Sequence, residues 1–393
     1  MKRVLVFLTI AMVVLGSFVF AEDGVYEDKV VIGSFQALSG PVAPIGVSMR
    51  KGMDAYFNWV NNTGGVYGRN IDLIVVDDQF SPSKTVVEVR RLVEEDKVFS
   101  IVGGLGSPGC LAVMDYLNDR GVPFVYQGSG SSILAIPPKE YIFTVQPHYT
   151  TEGQIAAKYM METLGAKRVA IIYRADDAGR EGLNSMSKWL LDNGYPAALV
   201  AKMPVDPNKV TFDSEILKLL ELGVDAVYLL MWIPQSPNFL MQAQEYGLDA
   251  TLVGSYANPD ITLIYLAGQA AEGFQSLAWV AADPEDEGFL EYIKIYQETF
   301  PGEIPNAYAA AGFIAAEVFT EALRRAGENP TREKLVDALE TMKGWSGLIT
   351  PEITYSAFDE EDNFCRSGVL QMYVMEVRNQ EWVTLHDWIS LGD

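Results

Sequence analysis

The sequence predicts an α/β fold built on parallel sheets and arranged as two similar lobes, and three observations lead there. Strand-like and helix-like segments alternate from Lys29 onward. After residues 141–145 the same βα rhythm starts again, without obvious sequence identity to the first series. Short apolar runs also feed directly into loops of small residues, as they do at the carboxyl ends of strands in open α/β sheets.

Residues 30–35 read as the first strand, after which Met49, Met53, Tyr56 and Val60 recur at helical spacing. Gly64-Gly65 and Gly68 end that helix ahead of a strand over 71–76, which Asp77-Asp78 closes. Val86, Val89 and Val93 mark the next helix. Two strand-loop units follow. Residues 98–102 run into Gly103-Gly104-Leu105-Gly106-Ser107-Pro108-Gly109 with a helix beginning near Cys110, and residues 122–126 run into Gln127-Gly128-Ser129-Gly130-Ser131-Ser132. Loops this small let a ligand approach the backbone, and helix starts beside them offer unpaired N–H groups to a carboxylate.

In the second series Thr150 is expected to cap a helix through Leu164. Strands at 169–173, 197–203, 226–231 and 251–254 alternate with helices at 182–193, 214–222 and 238–246. The last third reads as an extended run over 273–280, helices over 285–299, 306–326 and 331–342, and extended segments at 349–355 and 368–377. No Pro/Ser-rich linker separates the two series, so a chain passing between lobes does so inside ordered structure, as a hinge of several strands.

The length of 393 residues suits two or three domains at roughly 100 to 200 residues each, and 49% hydrophobic content excludes global disorder. Met1-Lys2-Arg3, the apolar run 4–20 and the small residue Ala21 form a secretory leader with cleavage expected after Ala21; a retained membrane anchor is the competing reading. No cysteine lies near that point to carry a lipid. The formal charge of −23 becomes −25 once Lys2 and Arg3 leave with the leader, a surface that repels nucleic acid and anionic membrane.

Cys110 and Cys365 are too few for a disulfide framework; a single bridge is allowed in an oxidising compartment, and two buried free thiols are the favoured reading. With His148 and His386 the only histidines, and no tight His/Cys/carboxylate cluster, neither a metal site nor any other cofactor is expected. Gly104-Leu105-Gly106-Ser107-Pro108-Gly109 satisfies G-x-G-x-x-G, but Gln127, Gly128 and Ser129 stand where a dinucleotide fold needs an acidic residue for the ribose. The motif is read as a close-approach loop. No P-loop or G-x-S-x-G pattern occurs, and a hydrolase would have to use Ser107 or Ser129 with His148 and no elbow. Asp77-Asp78, Asp176-Asp177 and Glu360-Glu361-Asp362 are read as solvated strand and turn ends. Trp232 and Tyr256 follow successive strands, where aromatic rings can stack on a ligand held against small polar loops of the other lobe.

From about Lys29 to its end the chain resembles the branched-chain amino-acid binding proteins, extracytoplasmic receptors of ABC importers with the type I periplasmic binding fold. The resemblance is carried by Ile32-Gly33-Ser34-Phe35-Gln36-Ala37-Leu38-Ser39-Gly40-Pro41, by Asn61-Asn62-Thr63-Gly64-Gly65-Val66-Tyr67-Gly68, by Val76-Asp77-Asp78 with Pro82, and by Ala271-Glu272-Gly273. It implies two doubly wound parallel-sheet lobes joined by three crossings, placed near Gln146, near Phe274 and within 356–368. The first lobe would comprise 28–146 with 275–355, and the second 147–274 with 356–393. By the same resemblance Ser107 meets a ligand carboxylate, Gly128, Ser129 and Gly130 form a backbone-donor loop, and Ile45, Trp232 and Tyr308 make side-chain contacts. Gly130 stands where the family's amino-acid binders carry a threonine that grips the ligand, with Ser129 or Ser131 as substitutes. Tyr256 replaces the usual acidic partner of the ammonium, and Ala178 an aromatic residue.

The function this implies is a periplasmic, non-enzymatic, monomeric receptor that captures a small polar solute, an amino acid, amide or related carboxylate, and delivers it to a membrane ABC permease. Asp176, Asp177 or Asp260 would supply a missing counter-charge; Arg174 or Arg180 would instead receive an acidic ligand. A sensor domain serving a signalling partner and a secreted hydrolase are the alternatives.

Overall fold

A computed structural model describes residues 22–233, 235–280 and 286–391; the leader falls outside them. The first series comprises β1 (Lys29–Gln36), α1 (Ala43–Asn62), β2 (Asn70–Asp77), α2 (Pro82–Glu94), β3 (Ile101–Leu105), α3 (Ser107–Asp119), β4 (Phe124–Gly128) and β5 (Ile142–Phe143). The second comprises α4 (Tyr149–Lys158), β6 (Val169–Arg174), α5 (Asp177–Asp192), β7 (Leu199–Val205), α6 (Asp213–Leu222), β8 (Ala226–Leu230), α7 (Gln235–Tyr246), β9 (Thr251–Gly254), α8 (Ile261–Ala267) and β10 (Gln275–Ala278). Then follow α9 (Glu287–Thr299), α10 (Ala307–Ala326), α11 (Arg332–Glu340), β11 (Gln371–Arg378) and β12 (Glu381–Ser390).

Two sheets result. One has the order β2-β1-β3-β4-β5 and is parallel throughout; the other has the order β12-β11-β10-β9-β8-β6-β7, parallel except for its β10-β11-β12 edge. Alternation along β1 explains how the first sheet is covered. Val30 and Ile32 pack with α1 and α10, whereas Val31 and Phe35 pack with α2 and α3. Along β6, Val169 and Ile171 pack with α4 and α5, whereas Ala170 and Ile172 pack with α6, α7 and α8. Both lobes are therefore doubly wound. The motif residues do local work in this frame. Asn61 exchanges two hydrogen bonds with Ile71, pinning the end of α1 to β2, while Asp77 accepts from Leu38 N at 2.8 Å and Ser39 Oγ at 2.6 Å, setting the turn before α1.

The lobes meet where several strands of chain pass side by side. Thr144 N donates to Arg366 O, Gly368 N to Thr144 O and Val369 N to Val145 O, so residues 366–369 run parallel to 144–145. The Arg366 side chain is fully buried there, with its guanidinium 4.4 Å from the Phe143 ring centroid and bonded to Glu340 Oε1 at 2.6 Å and Ser356 O at 2.8 Å. A buried guanidinium requires such partners, because its desolvation is otherwise uncompensated.

Several sequence expectations shift. The second crossing was expected near Phe274, but β10 pairs with β9 and β11, so the chain leaves the second sheet only after Ala278. Residues 349–355 form no ladder, only a bridge between Trp345 and Ile353. Helix α8 and strand β12 were not foreseen, and His148, not Thr150, precedes α4 as its N-cap. Asp78 is buried rather than solvated, accepting from Thr85 Oγ1 at 2.7 Å and Phe80 N at 2.9 Å. Cys110 and Cys365 are both buried and unpaired. Arg366→Ala should destabilise the protein by about 3 to 5 kcal/mol, the usual cost of stripping one member from a buried ion pair. Urea denaturation checks this, and a loss under 1 kcal/mol would show that the hinge does not need this side chain.

Candidate ligand site between the lobes

In the first sheet β1 lies between β2 and β3, so α1 and α3 leave the strand ends toward opposite faces and a crevice opens between their first turns. In the second sheet β6 lies between β7 and β8, which opens a matching crevice between the ends of β6 and β8. Residues on these two rims form the candidate site.

On the first rim, Gly106 adopts φ 92° as the N-cap of α3, a left-handed conformation that suits a residue without Cβ. Gly106 N donates to Gly128 O at 3.0 Å, which ties the two small-residue loops together. Ser107 Oγ and Ser129 Oγ lie 2.6 Å apart, and Ser129 Oγ also accepts from Ser131 N at 3.1 Å. One hydroxyl proton of the serine pair is thus consumed between them, and the Ser107 hydroxyl also meets the Tyr149 phenol. The amides of Ser107 and Gly109 have no acceptor among the described residues, whereas the Gly130 amide faces the Tyr149 phenol oxygen.

On the second rim, Arg174 ends β6 and Trp232 lies just beyond β8, with the guanidinium 3.9 Å from the indole centroid. Asp176, the N-cap of α5, holds Arg174 through Nε at 2.9 Å and Nη2 at 2.7 Å. Tyr256 follows β9; its ring stacks on Tyr149 with centroids 6.3 Å apart and planes within 7°. Tyr149 opens α4, donates its N–H to Gly130 O at 2.6 Å and lies 6.4 Å from Trp232. Its phenol lies against the Ser107 hydroxyl. Gln146 links the group, donating to Tyr256 Oη at 3.2 Å and accepting from Tyr126 Oη at 3.0 Å.

Two carboxylates join the lobes directly. Glu181 of α5 accepts from Ser131 Oγ, Ser132 N and Ser132 Oγ, each at 2.9 Å. Asp260, the N-cap of α8, accepts from Ala307 N at the start of α10 at 2.8 Å. Ile45 and Tyr308 occupy the first turns of α1 and α10, whose starts are linked by Asn306 Nδ2 donating to Ser48 Oγ at 3.1 Å. Burial pushes the Tyr308 phenol up to about 12, with Asp260 adding to the rise and Arg174 opposing it, so it lies among both charges.

Ser107, Gly128, Ser129, Gly130, Ser131, Trp232 and Tyr256 are therefore brought into one connected group, with Ile45 and Tyr308 at the helix starts beside it. Ser131 differs from expectation in having its hydroxyl engaged by Glu181 and its N–H by Ser129. Arg180 turns away, pairing with exposed Asp177. His148 contacts Thr144 Oγ1 at 3.1 Å rather than either serine, and burial lowers its pKa to about 4, so the Ser/His pairing required of a hydrolase is not assembled. Sequence reading missed Tyr149, Glu152 and Glu181 as site residues. Tyr149 precedes the expected cap Thr150, and Glu181 stands one residue ahead of the helix read from 182, so neither falls on a patterned helix face.

Glu152 lies behind the Tyr149–Tyr256 stack, fully buried, and accepts the Tyr256 N–H at 3.0 Å. Desolvation raises its carboxyl from an ordinary 4.5 to about 7, against the pull of hydrogen bonding from Ser255, the Tyr256 amide and Tyr228. The native state therefore holds a proton that the unfolded chain releases. Its contribution to stability is complete below about pH 4.5 and declines toward pH 7 at about 1.4 kcal/mol per pH unit. Glu152→Gln lacks this titration. Its melting temperature should gain on that of the unaltered protein as pH rises from 5 to 7.5; a difference independent of pH would show that Glu152 does not titrate in this window.

Known proteins agree with this architecture. Residues 29–381 match the family model described as periplasmic binding protein. A Pseudomonas aeruginosa leucine-, isoleucine-, valine-, threonine- and alanine-binding protein is 26% identical over 324 residues, 81% of this chain and 84% of that one. A leucine-specific-binding protein of Salmonella typhimurium is 28% identical over 251 residues, 64% of this chain and 67% of its own length. Among solved structures, a branched-chain amino acid ABC transporter protein of Thermus thermophilus with bound valine superposes with a TM-score of 0.81 at 20% identity, covering 92% of this chain and 97% of that one. An R. palustris solute-binding protein in complex with benzoate superposes with a TM-score of 0.76 at 19% identity, covering 92% and 98%. The match spans most of the chain and both sheets, and the chain belongs to the periplasmic binding protein family.

Proposed function

We propose that this solute-binding protein captures a small carboxylate-bearing solute between its lobes and delivers it to an ABC permease, acting as a monomer exported by its leader. The first lobe consists of residues 28–146 with the segment holding α9, α10 and α11, and the second of the chain carrying β6 to β10 together with β11 and β12. The observation that carries this reading is the opposition of two unlike rims. Uncommitted amides and a serine hydroxyl on the first meet a stacked guanidinium and aromatic rings on the second. A solute touching both rims stabilises their approach, because only contacts made in that state and absent when the lobes separate shift the population.

The relatives' chemistry is compatible. Valine and benzoate, bound by two of the superposed proteins, share a carboxylate and differ in the rest. Among the described residues no helix is long and apolar enough to cross a membrane.

A thermal-shift screen across amino acids, carboxylic acids, amides and sugars should return a solute that raises the melting temperature, since a ligand of the native state alone stabilises it. Calorimetry with that solute should show Ser107→Ala and Trp232→Ala each weakening binding by about tenfold or more, equivalent to 1.4 kcal/mol. The double variant Trp232→Ala/Tyr256→Ala should lose the solute-dependent compaction seen by X-ray scattering. Unchanged affinity and scattering in these variants would place the solute elsewhere.

A further inference from the structure

The charged groups around the crevice are unequally committed, and the inequality bears on which solute fits. Glu181 takes three hydrogen bonds from Ser131 and Ser132. Asp260 accepts from Thr262 N and Ala307 N. Asp176 holds Arg174 and caps α5 through Gly179 N. Glu152 is sealed behind Tyr256, one oxygen on the Tyr256 amide and the other beside the Tyr228 phenol. Every carboxylate described at the crevice thus has a partner of its own or is walled off from it. Donors are less committed: the Ser107 and Gly109 amides and the Arg174 Nη1 have no partner among the described residues.

Shape reinforces charge. A Cβ added at Gly130 would lie 2.7 Å from Tyr149 Cε1 and closer still to Tyr256 Oη. The Tyr256 phenol therefore fills the space into which any side chain at position 130 would project, and Gln146 and the Tyr149 stack hold it there. A solute ammonium entering beside the serine loop would shed its water and meet a phenol and a guanidinium, while the carboxylate nearest the loop, Glu181, is already taken up by Ser131 and Ser132.

We propose that the crevice selects a carboxylic acid with no ammonium next to its carboxylate, and that Gly130 and Tyr256 together set this preference. The inference rests on the crevice being the solute site. Ser107, Ser129 and the free amides receive the carboxylate; Trp232, Tyr308 and Ile45 face the remainder of the solute. Tyr256 closes the position a cationic group would need.

Calorimetry on the mature chain with three matched pairs tests this: leucine and 4-methylpentanoate, phenylalanine and 3-phenylpropanoate, glutamate and glutarate. In any pair that binds, the acid lacking the amine should bind at least tenfold more tightly. An amino acid binding as tightly as its partner, or more so, overturns the inference and leaves the crevice as the solute site. Binding by neither member of any pair also overturns it, and the wider screen with Ser107→Ala then decides separately whether the crevice binds solute at all. Tyr256→Glu should narrow the ratio between partners at least tenfold, and Tyr256→Phe should preserve it; a ratio unmoved by Tyr256→Glu in a protein with unchanged far-UV circular dichroism removes Tyr256 from the assignment. Should Tyr256→Glu fail to fold, the matched pairs on the unaltered protein still decide.

Discussion

Placing the first strand of each series inside its sheet rather than at the edge is the constraint from which the site follows. With β1 between β2 and β3, and β6 between β7 and β8, consecutive helices must leave toward opposite faces, and the strand ends part at one point in each sheet. Backbone amides at the start of α3 are left without acceptors at one parting, and the ends of β6 and β8 present Arg174 and Trp232 at the other. Parallel strands make this possible, since all their carboxyl ends lie on one side of the sheet. The antiparallel edge β10-β11-β12 sits away from the partings, and Glu272 secures its hairpin by accepting from Asn379 N and Gln380 N.

Two rims are useful only if they are held in register, and the hinge does this with buried polar groups. Arg366 anchors the returning strand against Phe143 and Glu340, and the Tyr355 phenol donates to Thr144 O at 2.8 Å in the same layer. Such groups contribute little net stability compared with apolar packing, but once buried they tolerate only one arrangement of partners. Glu181 and Asp260 make their contacts at the rims themselves. Each offers a carboxylate from the second lobe to main-chain amides at a helical start of the first, where the exposed N–H groups favour negative charge.

The interior of the cleft is dominated by phenols and indole rather than by free charges. Tyr126, Gln146, Tyr256, Tyr149 and Ser107 form a continuous path of contacts from the floor of the first lobe to its rim. Glu152 completes it from below. Its buried carboxyl accepts from the Tyr256 N–H, and desolvation raises it to about 7, which disfavours a negative charge behind the tyrosine pair.

Residue order by itself determined the elements and the two strand-end loops. Periodicity of 2 and 3.6 is a local property, and Gly106, Ser107 and the 128–131 run stand out because small residues at a strand end admit little else. Trp232 and Tyr256 were legible for the same reason, each directly following an apolar strand. Tertiary structure alone decided that Tyr149 stacks on Tyr256, that Glu181 reaches across to Ser132, that β10 belongs to the second sheet and that Asp78 is buried. Most of those facts depend on strand order and on the meeting of residues distant in the chain, 50 positions for Ser131 and Glu181 and 104 for Glu152 and Tyr256, and no local pattern encodes which side chain will occupy the space left by the missing Cβ of Gly130.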